Sequence, residues 1–138
     1  MKKGKQPPYI LIKTSQIPEA GLGAFATTAL PAGKRLGEYE GRVITPAEYE
    51  ALEDRRYVWE LKQEDAIVAY VDGRPRRKAN WTRYVNCPRH KSGENVEATQ
   101  VGMRMVYFAK RDIEAGEELL VWYGADYGEW LFGTRDPE

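Results

Sequence analysis

The apolar positions fall in short runs of strand-forming residues, each closed by turn residues. Tyr9 to Lys13 is the first run, and Ser15 to Pro18 ends it. Ala20-Gly21-Leu22-Gly23-Ala24-Phe25 follows and leads through Thr28 into the turn signal Leu30-Pro31-Ala32-Gly33. Thr45-Pro46-Ala47-Glu48 predicts a helix start, because Thr45 caps, Pro46 takes the first helical position and Glu48 completes a capping box. That helix is expected to run to about Glu53. Tyr57 to Leu61 and Ala66 to Val71 predict two more strands, with a turn at Asp72-Gly73. Val96 to Val101 and Arg104 to Ala109 predict a strand pair, and Glu118 to Tyr123 a last strand before an aromatic tail of Tyr127, Trp130, Leu131 and Phe132. The class is mainly β with short helices.

The sequence also echoes itself. Phe25 to Leu36 matches Phe108 to Leu119 at Phe, Ala, Ala, Gly and Leu, and both copies run on to a glycine, Gly41 and Gly124. Each copy reads as strand, turn at Ala-Gly, strand. Two such hairpins predict a pseudo-symmetric β-structure closed by its halves.

Between the copies lies Asn80-Trp81-Thr82-Arg83-Tyr84-Val85-Asn86-Cys87-Pro88, which packs an asparagine pair, an arginine, the single cysteine and two aromatics into one stretch with little strand or helix pattern. A run so dense in polar and aromatic side chains, set between strands, is expected to be a buried, hydrogen-bonded crossing segment.

Composition narrows the functions. Twenty-one basic and twenty-one acidic residues cancel, so the global electrostatic footprint of a nucleic-acid binder is missing. Arg74-Pro75-Arg76-Arg77-Lys78 is the one strong basic cluster and reads first as a solvated loop. One cysteine, Cys87, and one histidine, His90, cannot assemble a structural zinc site, and an intrachain disulfide is impossible. A reducing compartment fits, nuclear in a eukaryote and otherwise cytoplasmic. The apolar run after the basic N-terminus is too short for a signal core, and nothing approaches a membrane span. The early glycines invite a phosphate-loop reading, but the third glycine and the helix that a dinucleotide fingerprint needs do not follow. They read instead as a tight bend, or as backbone that something approaches closely.

Three segments carry a resemblance in their order: Gly21-Leu22-Gly23, then Arg83-Tyr84-Val85-Asn86-Cys87, then Glu118-Leu119-Leu120-Val121-Trp122-Tyr123-Gly124. Together with Tyr70-Val71-Asp72-Gly73 and Asn80-Trp81, this resembles the SET-domain lysine methyltransferases, and in its wording the PR subtype with its catalytically active meiotic branch. The resemblance implies a β-clip fold with a C-terminal pseudoknot, a SET/PR domain over residues 20–128 after an N-terminal arm and first strand (1–19), and a tail (129–138) that closes the substrate channel. It implies S-adenosyl-L-methionine as cofactor, lined by Ala20, Gly21, Leu22 and Tyr57, with Asn86 and the backbone of Cys87 at its methionine end. It implies Tyr123 as the catalytic tyrosine and Tyr39 and Tyr107 as aromatics of the lysine channel. The partner implied is a lysine-bearing protein, a histone H3 tail by family analogy, with neither nucleic acid nor membrane. No metal is implied. One departure stands at Cys87, where the broader family has histidine, and it keeps open a second expectation: a PR domain that recruits partners without turnover.

The chemistry suits these residues. A free lysine titrates near about 10.4, so presenting it neutral at pH 7 costs about 4.6 kcal/mol unless the site lowers that value. An apolar aromatic channel beside a positive sulfonium lowers it twice over, by desolvation and by charge. A cluster of tyrosines without a carboxylate base can therefore serve. Any single tyrosine among the nine is by itself an ordinary half-buried packing residue, and Cys87 reads as a small buried side chain, not a nucleophile.

Overall fold

The computed structural model describes residues 6–123. The aromatic tail at Tyr127, Trp130, Leu131 and Phe132, Gly124, and the segment 129–138 expected to close the channel lie outside the described residues.

Three small antiparallel sheets make the fold. β1 (Ile10–Thr14) pairs with β2 (Leu22–Ala26). β3 (Arg35–Tyr39), β7 (Val96–Val101) and β8 (Arg104–Ala109) form a second sheet with β8 central. β4 (Arg42–Ile44), β5 (Val58–Gln63) and β6 (Ala66–Asp72) form the third, with β6 central. Gln100 bolts the last two together by imitating a peptide group: its amide oxygen accepts from Lys62 N at 2.8 Å and its amide nitrogen donates to Lys62 O at 2.7 Å.

The echo takes a form other than two hairpins. β2 does not pair with β3; each copy pairs with the other copy. Leu30 and Ile113, at matching positions, exchange both backbone hydrogen bonds at 2.8 Å. Gly33 N donates to Ala109 O and Gly116 N to Ala26 O, again matching positions and again at 2.8 Å. The reason is burial. Leu30, Leu36, Ile113 and Leu119 are all fully buried, and only the crossed arrangement stacks the two apolar sets on each other. Each such side chain contributes roughly 1.5–3 kcal/mol when taken from water.

The helix α1 (Pro46–Glu50) has the expected capping box, with Thr45 Oγ1 accepting from Glu48 N and Glu48 Oε1 accepting from Thr45 N. It stops at Glu50, short of Glu53, because it has no buried residue to reward a longer helix. Its anchor is Tyr49, whose ring stacks on Tyr70 at 3.9 Å while the Arg55 guanidinium lies over it.

The central stretch is the expected buried crossing. It contains a short 3-10 helix, Trp81–Tyr84, capped by Asn80 Oδ1, with Trp81, Thr82, Val85 and Cys87 buried. Asn80 also donates to Glu38 O, tying the crossing to β3. The segment from Glu118 is not a regular strand. It makes single bridges to three different neighbours, Phe25↔Glu118 antiparallel, then Asn86↔Leu120 and Val96↔Val121 parallel. That is what threading does: each residue meets a different wall, so no ladder with one partner can build. The buried Asn95 fastens the thread, its Nδ2 donating to Glu118 O and its Oδ1 accepting from Leu120 N.

Candidate active site

The thread delivers Tyr123 to a cluster of phenols. Its hydroxyl lies 3.5 Å from that of Tyr107, and its ring centroid is 4.5 Å from Trp59. Tyr107 comes from the centre of β8 and is fully buried, with its ring 5.6 Å from that of Tyr39 at the end of β3. Tyr39 is equally buried and donates to Tyr57 O at 2.7 Å. The three expected channel tyrosines thus come together, from three elements far apart in sequence.

Burial is the main force on their acidity. It pushes the Tyr107 and Tyr123 phenols well above the ordinary value near 10, and hydrogen bonds to Tyr107 and Tyr39 only partly relieve Tyr123. Both hydroxyls stay neutral at any physiological pH, so the cluster offers dipoles and acceptor oxygens but no base. Tyr123 is half-buried and opens with Trp59 onto a cavity of about 610 Å³, which Tyr49, Arg55, Tyr70 and Met105 also line.

A second group forms the other side of the crossing. Ala20, Gly21 and Leu22 make the bend into β2, where Gly21 adopts φ +79. That left-handed conformation favours glycine, and the space beyond it is open. Leu22 is 45% exposed, an apolar surface beside a polar crossing. Asn86 faces this bend. Its Nδ2 donates to Leu22 O at 3.1 Å and to Glu118 Oε2 at 3.3 Å, and its own carbonyl accepts from Val121 N at 2.9 Å. Because both partners of the amide nitrogen are acceptors, the orientation of the amide is fixed, and Oδ1 is left as its uncommitted atom.

Cys87 joins the two groups. It is buried, its sulfur meets the backbone of Tyr123, and burial pushes its thiol up to about 11, so it is an uncharged packing group and not a nucleophile. Tyr57, the remaining expected cofactor residue, accepts at its carbonyl from the Tyr39 hydroxyl and Gly73 N, while its ring carries the Arg83 guanidinium at 4.7 Å.

Two residues at this site escaped sequence reasoning. Trp59 donates its indole N–H to the Tyr107 hydroxyl at 2.8 Å and forms a wall beside Tyr123. Its signal was present, since Trp59 and the buried Leu61 alternate on one face of β5. Glu118 is a carboxylate only 5% exposed, accepting from Ser15 Oγ, Gln16 N and Asn86 Nδ2. Its neighbour Glu117 pairs with Arg111 at the surface, and nothing in the pair of glutamates tells which one turns inward. Among the described residues no group of three or more His, Cys, Asp or Glu is placed to hold a metal.

The fold is found in solved structures. It superposes on the methyltransferase domain of human PR domain-containing protein 2 with a TM-score of 0.74 over 91% of both chains, at 23% identity. It also superposes on the SET domain of the RIZ1 tumor suppressor with a TM-score of 0.67, over 85% of this chain and 70% of that one, at 25% identity. The architecture is therefore that of a SET domain. Within that class the chain belongs to the PR-domain family, matching over residues 10–132 the family described as PR domain zinc finger protein 2, PR domain. It is 40% identical over 126 residues to human histone-lysine N-methyltransferase PRDM7, and 36% identical over 122 residues to histone-lysine N-methyltransferase set-17 of Caenorhabditis elegans. Those matches cover 91% and 88% of this chain but only 25% and 43% of the relatives' own lengths.

Proposed function

We propose that the chain is a protein-lysine N-methyltransferase that uses S-adenosylmethionine and acts on a histone tail, H3 first among them. The observation that carries this reading is the phenol cluster of Tyr39, Tyr107 and Tyr123, joined through Cys87 to the Asn86 crossing. The printed names of the relatives support it, and they would place the work in a nucleus.

S-adenosylmethionine supplies an electrophilic methyl group on a sulfonium. The residues of the Asn86 crossing fit it: an acceptor amide oxygen for an ammonium group, an open glycine bend and an exposed leucine. On this reading the substrate lysine enters beside Trp59 and Tyr123 and sheds its proton to solvent as it leaves water, since no base is needed where desolvation favours the neutral amine. The hydroxyls of Tyr123 and Tyr107 orient the nitrogen lone pair. The cofactor would supply the methyl group and leave as a neutral thioether, and the residues of the phenol cluster would hold the accepting nitrogen in line. The phenol oxygens then face a methylammonium cation, and the enclosing rings favour it.

Mass spectrometry of histones incubated with protein and cofactor tests the reading. Lysine methylation is expected, falling at least about a hundredfold in Tyr123→Phe, the order expected for loss of one preorganised polar contact to the reacting group, with cofactor binding retained. Cofactor binding without modification of any histone would overturn it. The cysteine after Asn86 favours a second reading, a PR domain that recruits partners without turnover, and calorimetry showing no affinity for S-adenosylmethionine would select it.

A further inference from the structure

We propose that Glu118 is a positioning residue that sets which atom of Asn86 meets the cofactor. The inference rests on the reading of Asn86 as the residue at the methionine end.

Glu118 lies at the mouth of the thread, and each of its oxygens is committed. Oε1 accepts from Gln16 N at 2.9 Å, and Oε2 accepts from Ser15 Oγ at 2.6 Å and Asn86 Nδ2 at 3.3 Å. Ser15 N in turn donates to Gly21 O at 2.8 Å, closing the loop that carries Ala20 and Gly21. Ser15 Oγ also accepts from Ile17 N at 3.0 Å. One carboxylate therefore grips both walls of the proposed cofactor site, the glycine bend through Ser15 and Gln16 and the crossing through Asn86. It is packed so closely that a Cβ on Gly23 would come within 2.3 Å of Oε2.

The chemical consequence follows from donor counting. An amide nitrogen has two hydrogens, and here Leu22 O and Glu118 Oε2 take both. The amide cannot turn over without setting its oxygen against two other oxygens. Asn86 is thereby locked with its acceptor outward, the polarity that suits the ammonium of an amino-acid end and not its carboxylate. A glutamine at position 118 would carry one donor in place of an acceptor. With its nitrogen in the place of Oε2 it opposes Asn86 Nδ2 and the lock is lost directly; with its nitrogen in the place of Oε1 it opposes Gln16 N, so the bend that holds the other wall is released while size and shape are kept.

The test measures binding by calorimetry of the full chain to two ligands. S-adenosylhomocysteine keeps the amino-acid end, and methylthioadenosine lacks it. Glu118→Gln is expected to weaken S-adenosylhomocysteine by at least about tenfold, the scale of one hydrogen bond to a charged group, and methylthioadenosine by less than about twofold. In an Asn86→Ala background the same substitution is expected to change neither by more than about twofold, because a residue acting through Asn86 has nothing left to position. Equal losses for both ligands, or additive effects of the two substitutions, would overturn the inference and leave the cofactor reading standing. Failure of the wild type to bind S-adenosylhomocysteine would overturn both. Should Glu118→Gln not fold, Glu118→Asp, which keeps the charge but shortens the reach, is read against the same two ligands and the same two outcomes.

Discussion

Tyr123 and Cys87 meet at the crossing as two neutral acids that burial keeps from ionising. For Cys87 the thiol rises from 9.0 to about 11, which fixes the sign of a pH effect. Between those values the unfolded chain has released the proton and the folded chain still holds it. Stability is therefore complete below about pH 9 and falls as pH rises toward about 11, by an amount on the order of 2 kcal/mol for this group. The raised phenols add to the fall from about pH 10 upward. Urea denaturation at pH 8 and pH 11 should show the drop, and Cys87→Ala should make it smaller; an equal drop in both would mean the thiol is solvated. Trp59 belongs to this scale too. Trp59→Phe removes the N–H that Tyr107 accepts, a loss of about 1 kcal/mol, and frees the Tyr107 hydroxyl to rotate. Turnover is expected to fall about tenfold while affinity for S-adenosylhomocysteine holds, a split that kinetics and calorimetry resolve together.

Among the elements, β3, β8 and the thread matter most because each delivers one tyrosine of the cluster. At Gly73, a Cβ would stand 2.5 Å from the Tyr39 hydroxyl and 2.8 Å from its ring. Gly73→Ala should push that ring off Tyr57 O, cost about 1–3 kcal/mol and reduce methyl transfer, and thermal melts beside an activity assay would check it. Thr45→Ala is expected to act more gently. It removes the cap of a helix with no buried residue, costing about 1 kcal/mol locally, so it should raise KM for the peptide through Tyr49 and leave the cofactor's Kd alone. The elements were also the most legible part of the chain. Runs of strand-forming residues marked the places of β5 to β8, and the Thr45–Glu48 box announced α1. What pairs with what was hidden: nothing in Phe25 to Leu36 says that its hydrogen bonds go to its own echo and not to itself, because register across a long separation is decided by burial that only the folded chain creates. The same limit concealed Glu118, since a charge inside the fold is told from one outside only by the donors around it.

For the whole molecule, the crossed echo and the thread turn small sheets into one body. Asn95 is where they meet, gripping the thread through two side-chain hydrogen bonds while almost wholly buried. Asn95→Ala would strand Leu120 N and Glu118 O without those partners, at about 1–3 kcal/mol for each group left unsatisfied. It is expected to lower the urea midpoint and disturb both ligand binding and turnover; loss of only one of the two would show that the thread serves the two sides of the site independently. The three motifs in order made this overall architecture readable in advance, although their meaning came from likeness and not from periodicity.

The order of synthesis gives the thread a further consequence. Residues that furnish the floor of the glycine bend and the phenol beside Trp59 lie on one short stretch, Glu118 to Tyr123, and both leave the ribosome after every strand they join. A nascent chain can therefore lay down its sheets early and still possess neither the phenol cluster nor the gripped glycine bend. Both come into being together, in the single event that draws this stretch alongside Asn86.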